Sequence, residues 1–393
     1  MEMKTLESRF RTLATLEETI SPLLSCYINN ENLDQGYREE LDERIQELRK
    51  VLPMGQQESF EKSLLELEKV LESEKSAKSK GTAVFVRTGR LPFISVLHFD
   101  IPFETELSVD SIPHLYQLVL MKDTYYRYVV LISEESHARI VEVTVGRITK
   151  EVWSDKPMLN QKSGRGWTKQ HYQNWKRDRS NKFLKEKIKI LEKIFLEGRH
   201  GYLILAGNKQ NCSRIKQNLP KHLAEKLIDE TLSIGGCNST KEIITASLSV
   251  FANHEQEESV NKAGMLKEEI SMGGLAVTGT ASTLQALQNG QVDTLVLSDS
   301  YQSPPGWKCC ECGFIELHTK SESCPMCGSK VKISINMKEE ILRLAEQMSV
   351  DIEIVRNSDE LLEVDGIGCL LRYKPYALSD SDVFYSEAAM SSS

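Results

Sequence analysis

Two pairs of cysteines near the C-terminal end of the chain have the spacing of a metal site. Cys309 and Cys312 form one Cys-x-x-Cys-Gly turn, Cys324 and Cys327 form another, and eleven residues separate the pairs. The glycine behind each turn can adopt a backbone conformation that points amides at the sulfur atoms, so two thiolates converge. Two such turns supply the four soft ligands that zinc prefers. The segment therefore predicts a structural zinc ribbon, against the alternatives of a redox pair or free thiols.

The other five of the nine cysteines are not expected to bind metal. Cys310 lies inside the first turn but cannot pair with Cys312 there, so we treat it as a non-ligand. His318, between the two pairs, is expected at the surface. Paired Cys-x-x-Cys motifs without a wider cysteine framework are typical of a reducing compartment.

A second stretch, KSGRGWTKQHYQNWKRDRSNKF, combines a glycine turn with positive charge. Between Lys162 and Lys189 there are ten lysines and arginines but only two acids, in a chain whose formal net charge is −8. Interleaved aromatic side chains could stack on bases, and the cations could neutralise phosphates. The alternative is a solvated helix face, the usual explanation of a charge run. We predict RNA contacts by Lys162, Arg165, Trp167, Lys169, Lys176, Arg177, Arg179 and Lys182.

The sequence contains few residue patterns that are typical of catalytic sites. No Ser/His/Asp order or paired-carboxylate pattern stands out, and the phosphate-loop motif GxxxxGK[ST] is absent. Gln170 and Gln173 are the candidate catalytic residues, because an amide can orient water or a reacting ester when it is held in place.

The composition suits a water-soluble protein with several domains. The chain has 393 residues, 40% of them hydrophobic and 27% charged, enough for two or three domains. No apolar run approaches the length of a membrane span, and the charged N-terminus does not resemble a signal peptide. We therefore expect a cytoplasmic location.

The hydrophobic patterns predict a multidomain α/β and α+β protein with three mixed domains. Residues 1–122 contain a helical hairpin with helices at 38–52 and 60–71, followed by strands, in an α+β domain. Residues 123–260 form a middle α/β domain with the glycine-rich loop and basic helix. Residues 261–375 form a C-terminal α/β domain with the zinc ribbon at about 307–330. Residues 376–393 are expected to be a disordered tail.

Within the middle domain, ARIVEVTVGRI is predicted as one strand and KHLAEKLIDETL as an amphipathic helix. Strands alternating with helices imply a mixed sheet covered by helices. In the C-terminal domain Thr280 is predicted to cap a helix that ends at Asn289-Gly290.

The order of these features resembles the archaeal and eukaryotic class-1 peptide release factors and their Pelota relatives. The resemblance is closest to a bacterial branch that includes Balon-type hibernation factors and related rescue factors. Three segments carry it: SGRGWTKQHYQNWKRDRSNKFLKE, LAVTGTASTLQALQNGQVDTLVLSD and VDGIGCLLRY. The resemblance covers almost the whole chain before residue 376 and implies a tRNA-shaped factor.

Two family motifs are altered. In release factors the central loop carries Gly-Gly-Gln, whose glutamine works in the peptidyl-transferase centre. Here Gly164-Arg165-Gly166 is followed by Trp167 and Thr168, and Gln170 comes two residues later. The N-terminal domain lacks the Asn-Ile-Lys-Ser motif of stop-codon recognition.

These departures favour a monomeric, non-enzymatic factor that binds the ribosomal A site as a tRNA mimic, in hibernation or rescue. Its expected partners are ribosomal RNA of the A site and peptidyl-transferase centre and a translational GTPase such as elongation factor Tu, with no membrane partner. One alternative is a peptidyl-tRNA hydrolase in which Gln170 or Gln173 orients water. Another is an RNA-binding protein unrelated to ribosomes.

Overall fold

The structure is a computed structural model that describes residues 3–19, 21–32, 37–73, 79–125, 127–155, 169–197, 201–235, 238–317, 322–356 and 358–373. It divides into two compact units, Met1–Glu258 and Ser259–Ser393. The predicted tail, residues 376–393, lies outside the described ranges. Within those ranges no helix combines the length and apolar character needed to span a bilayer.

The first unit opens with a four-stranded antiparallel sheet and helices. Its elements are α1 (Met3–Ala14), β1 (Leu23–Asn29), a 3-10 turn (Asn30–Asn32), α2 (Tyr37–Val51), α3 (Met54–Ser73), β2 (Gly81–Arg87), β3 (Phe93–Phe99), β4 (Glu106–Asp110) and α4 (Tyr116–Thr124). The strand order is β3-β2-β1-β4. The predicted helical hairpin is confirmed. Its apolar stripes, including Leu41, Phe60 and Leu64, pack against Leu24 and Val84 of the sheet.

The same unit continues with a five-stranded mixed sheet. Its elements are β5 (Tyr128–Ser133), β6 (His137–Thr144), β7 (Arg147–Asp155), α5 (Lys169–Glu197), β8 (Tyr202–Gly207), α6 (Lys209–Asn218), α7 (Lys221–Ala224) and β9 (Leu227–Leu232); α8 (Thr240–Ser271) follows. The order is β7-β6-β5-β8-β9, antiparallel from β7 to β5 and parallel from β5 to β9. Helices α5 and α6 cover one face and α8 covers the other. The expected mixed sheet under helices is confirmed.

Two local predictions in this sheet are wrong. ARIVEVTVGRI is not one strand: β6 ends at Thr144 and β7 begins at Arg147, and the two turn residues have positive φ (Val145 49°, Gly146 70°). That conformation is the one required in a two-residue hairpin turn. Such turns usually contain Asn-Gly, and valine is unusual at their first position. KHLAEKLIDETL is not one helix either. The helix is a single turn, α7, and Leu227–Leu232 extends as β9 because it pairs with β8.

The second unit contains a mixed sheet and a small three-stranded ribbon. Its elements after α8 are β10 (Ala276–Thr278), α9 (Thr280–Gln288), β11 (Val292–Ser298), β12 (Pro305–Cys309), β13 (Ile315–Leu317), β14 (Lys332–Asn336), α10 (Met337–Gln347), β15 (Asp351–Val355), α11 (Asp359–Leu362) and β16 (Ile367–Leu371). The sheet orders are β10-β16-β11-β15 and β13-β12-β14.

The predicted helix at residue 280 forms, but its cap differs. Gly279, with φ of 83°, occupies the N-cap position, and Thr280 is the first helical residue. The Thr280 hydroxyl lies 2.7 Å from the Tyr301 hydroxyl, so it is used for packing across the fold rather than for capping. The helix ends at Asn289 and Gly290 as expected, with Gly290 at φ of 68°. The boundaries of the three proposed domains stay a prediction.

The packing of the helical hairpin can be tested with Phe60, which is fully buried in α3. We expect Phe60→Ala to lower the free energy of unfolding by about 3–5 kcal/mol, because it removes a large apolar side chain and leaves a cavity. Leu65→Ala in the same helix is the matched control, since Leu65 is 56% exposed. Urea unfolding followed by circular dichroism measures both. Equal losses in the two variants would contradict the described packing.

Candidate functional site

The basic helix α5 is the connection between strands that run in the same direction. Strands β7, β5 and β8 are parallel to one another because β6 is antiparallel to both of its neighbours. The chain leaves β7 at one edge of the sheet and must return to the opposite end before it enters β8. A parallel connection of this kind requires a crossover, usually a helix. Helix α5 is that crossover.

Helix α5 is much longer than the strands it covers. Its 29 residues span about 43 Å at 1.5 Å per residue. The six residues of β8 span about 20 Å at 3.3 Å per residue. Where the side chains of α5 are described, the buried ones fall between Phe183 and Ile194. These twelve positions already account for about 18 Å of helix. Residues 169–182, which we name the projecting half of α5, therefore extend beyond the sheet-covering part.

The C-terminal half of α5 is anchored by apolar and polar contacts. Phe183, Leu191 and Ile194 pack against the sheet in one core cluster. Lys187 is buried, with 4% of its surface exposed. Its ammonium donates to Ser133 Oγ at 2.7 Å and lies 4.0 Å from the centre of the Phe183 ring. A buried charge needs such partners, so these contacts fix α5 relative to the end of β5.

The projecting half of α5 carries most of the described residues that were predicted to contact RNA. It contains five lysines and arginines against one acid, Asp178. Arg177 and Lys182 are exposed, and Arg179 is half-buried. For Lys169 and Lys176 the structure describes the helical backbone only, while Lys162, Arg165 and Trp167 lie outside the described residues.

The two glutamines predicted as catalytic both belong to this helix. Gln173 is exposed within α5, and the side chain of Gln170 lies outside the described part of the structure. The glycine turn at residues 164–166 also lies outside it. Sequence reasoning missed Arg214 of α6, which donates to Ser180 Oγ and Asn181 Oδ1 of α5, both at 3.0 Å. No local motif marks Arg214, because its partners are more than thirty residues away.

The four cysteines of the predicted zinc site come together in the ribbon and could hold a metal ion. The sulfur atoms of Cys309, Cys312, Cys324 and Cys327 all lie within 4.8 Å of one another. The Cys309–Cys327 and Cys312–Cys324 sulfur pairs are each 3.5 Å apart. A tetrahedron with metal–sulfur bonds of about 2.3 Å requires sulfur atoms about 3.8 Å apart. We name these four residues the thiol cluster; Cys310 is exposed and is not part of it.

Both turns of the thiol cluster repeat the same backbone pattern. Cys309 N donates to Phe314 O and Gly313 N to Cys309 O, at 2.8 and 3.0 Å. Cys324 N donates to Ser329 O and Gly328 N to Cys324 O, at 2.8 and 2.9 Å. Gly313 and Gly328 have φ values of 73° and 74°, a conformation that side chains rarely adopt. The expectation that glycine shapes both turns is confirmed.

Backbone amides also donate hydrogen bonds to the sulfur atom of Cys309. The N–H groups of Cys312 and Glu311 donate to Cys309 Sγ and lower the pKa of this thiol to about 6. Desolvation and hydrogen bonds among the neighbouring sulfur atoms raise the pKa values of Cys312 and Cys327. Without a metal, the amides therefore favour a thiolate at Cys309, the form that binds metal, and not at every cysteine of the cluster.

The ribbon has little apolar core of its own. Trp307, Cys309 and Cys324 are buried together with Phe314 beside them, and the Lys332 ammonium lies 3.8 Å from the centre of the Trp307 ring. So small a core needs additional cross-links to fold stably.

One charged contact attaches the ribbon to helix α10. Lys308 of β12 lies 3.4 Å from the carboxylate of Glu340, whose side chain is fully buried. Arg343 donates two hydrogen bonds of 2.7 Å to the same carboxylate. The paired geometry satisfies the buried charge and fixes the direction in which β12 leaves the domain.

Comparison with protein families assigns similarity to two consecutive parts of the chain. Residues 113–251 match the family model described as "Bacterial archaeo-eukaryotic release factor family 10". Residues 256–375 match the model described as "eRF1 domain 3". The second match includes the thiol cluster, and the first includes α5.

The comparisons also found individual relatives of this chain. The chain is 25% identical over 293 residues to "Peptide chain release factor subunit 1" of Pyrococcus abyssi, covering 66% of this chain and 69% of that protein. It is 25% identical over 207 residues to "Protein pelota homolog" of Pyrococcus furiosus, covering 50% of each. Among solved structures, Pelota of Archaeoglobus fulgidus aligns with 15% identity over 75% of this chain and 80% of that one, with a TM-score of 0.35.

The thiol cluster predicts one tightly bound metal ion per chain. Elemental analysis of protein purified without chelator should give one equivalent, and Cys324→Ser should lose it because three thiolates hold a structural metal poorly. Cys310→Ser is the matched control and should retain full occupancy. Equal metal content in the Cys324→Ser and Cys310→Ser proteins would contradict the assignment.

Proposed function

Because this chain belongs to the superfamily of archaeal and eukaryotic class-1 release factors and Pelota, we propose that it is a ribosome-binding translation factor. It occupies the A site as a tRNA mimic, in hibernation or rescue, without decoding stop codons. The observation that carries the proposal is the basic projecting half of α5, which extends past the sheet that anchors its other half.

The charge of this helix suits ribosomal RNA. The chain as a whole has a formal net charge of −8, yet the projecting half carries five cations and one acid. Repulsion between phosphates and an acidic protein favours docking through the one strongly basic segment. Arg177 and Lys182, both exposed, would contact phosphates, and the aromatic residues between them and the glycine turn would stack on bases.

The altered motifs support a factor that binds the ribosome without hydrolysing the peptidyl-tRNA ester. Trp167 and Thr168 stand where the family has Gly-Gln. Gln170 and Gln173 follow within a regular helix rather than at the tip of a loop. A helical glutamine at this position would have to reach the ester from a different direction, and catalytic groups tolerate displacements of only about 1 Å.

We further propose that the thiol cluster holds zinc in a structural role. Four thiolates with no open position select a tetrahedral, redox-inert ion, and zinc is the common one in reducing compartments.

The factor would act in the cytoplasm, delivered by or in contact with a translational GTPase such as elongation factor Tu.

The proposal predicts salt-sensitive association with vacant 70S ribosomes through α5. Arg177→Gln with Lys182→Gln removes two exposed cations, and we expect weaker co-sedimentation and a salt slope that is smaller by about two. The matched control is Lys221→Gln with Lys241→Gln, which removes two exposed cations elsewhere in the same unit. Failure of the wild-type protein to associate at low salt would contradict ribosome binding. Equal weakening in both double variants would contradict the role of α5.

The alternative function, hydrolysis of peptidyl-tRNA by Gln170 or Gln173, has its own test. We expect the wild-type protein, Gln170→Ala and Gln173→Ala to release labelled peptide from stalled ribosomes at the same background rate in single-turnover assays. Release above background that either substitution abolishes would establish the enzyme instead.

A further inference from the structure

A polar cavity of about 700 Å³ lies beside the middle of α5, where the projecting half meets the anchored half. It is formed by three segments: the residues that follow β5, the inner side of α5, and the first turns of α6 after β8. Strands β5 and β8 are adjacent and parallel, so the cavity lies at their carboxyl ends. In open α/β sheets, ligands bind in the crevice at this edge. All of the residues that line it belong to the first unit.

The lining of this cavity combines amides with charges of both signs. Gln173, Asn181, Asn208, Gln210 and Asn211 present amide groups. Such side chains can donate to and accept from the edges of nucleobases.

The charged groups of the cavity are divided between its walls. Arg177, Lys187 and Arg214 supply three cations, while Glu134 and Glu135 supply two carboxylates. Cations in such a lining suit a phosphate, and carboxylates can accept hydrogen bonds from ribose hydroxyls.

Several of these groups are held rigidly. Lys187 is fixed by its bond to Ser133, and Arg214 by its bonds to Ser180 and Asn181. The Glu134 carboxylate lies 2.8 Å from His137 Nε2, on the β6 side of the cavity.

The N-terminus of α6 adds an electrostatic field that favours an anion in the cavity. Asn208 accepts a hydrogen bond from Gln210 N at 2.9 Å and so caps a ten-residue helix. The positive end of the α6 dipole therefore faces the cavity beside Arg214. Fixed polar groups on several walls distinguish this cavity from a surface groove lined by mobile lysines.

We propose that this cavity binds one ribonucleotide unit, with its phosphate near Arg214 and the start of α6 and its base among the amides. A cavity of about 700 Å³ is of the size of small-molecule sites in proteins. The unit is either a free nucleoside monophosphate or an unstacked nucleotide of an RNA strand that lies along α5. The second source rests on the proposed ribosome binding, and the first does not.

Calorimetric titration of the full chain with nucleoside 5′-monophosphates tests the proposal. We expect binding that Arg214→Gln weakens about tenfold, because it removes one charge-assisted contact. Gln210→Ala, at an exposed position, should weaken binding about fivefold through loss of one neutral hydrogen bond. Lys216→Gln and Gln217→Ala are matched controls on the same helix outside the cavity, and should bind as the wild type does.

A second titration separates the two sources of the nucleotide. It uses a short RNA duplex with one bulged nucleotide and the same duplex fully paired. Preference for the bulged RNA that disappears in Arg214→Gln and Gln210→Ala assigns the site to RNA. Binding of the monophosphate without such a preference assigns it to a free nucleotide.

The proposal is overturned by two results. One is that neither the nucleoside monophosphates nor the bulged RNA duplex binds at millimolar concentration. The other is binding that the cavity variants and their controls weaken equally. Co-sedimentation of the wild-type protein with ribosomes, measured in parallel, shows separately whether the proposed function holds.

Discussion

Three strands of the mixed sheet, β7, β5 and β8, run in the same direction, and the chain must return across the sheet between β7 and β8. That constraint produces α5. The apolar residues from Phe183 to Ile194 fix its second half on the sheet. The buried contact between Lys187 and Ser133 sets the position of the helix along β5. The basic first half then extends away from the core, and the cavity opens where α5 passes the ends of β5 and β8.

Helix α5 has an anchored C-terminal half and a projecting N-terminal half, so one helix can both pack on the sheet and present charge. Burial of its C-terminal half provides the stability, because most helical stability in proteins comes from tertiary packing rather than from propensity. The described side chains of the N-terminal half, those of Gln173, Asn174 and residues 177–182, are all polar or charged, and each is exposed or half-buried. Cations crowded on one helix repel one another, and the packing of the C-terminal half offsets that repulsion. On a rigid support they form a surface that can match a polyanion.

Local patterns in the sequence predicted the parts of the molecule that local geometry determines. The thiol cluster follows from two short turns, and the helical hairpin follows from apolar residues at helical spacing. Strand β9 was missed because Leu227–Leu232 becomes a strand only through pairing with β8. The turn at Val145 was missed because valine rarely adopts positive φ. The cavity could not be predicted at all, since Glu134, Gln173 and Arg214 meet only after the sheet has formed.

The central claim is that α5 is a rigidly supported RNA-binding arm, and a cryo-EM map of the purified chain on vacant ribosomes tests it most directly. The account predicts density in the A site, with residues 169–182 against ribosomal RNA and Phe183–Ile194 still packed on their sheet. A bound chain whose projecting half faces solvent, with contacts made by another surface, would contradict it.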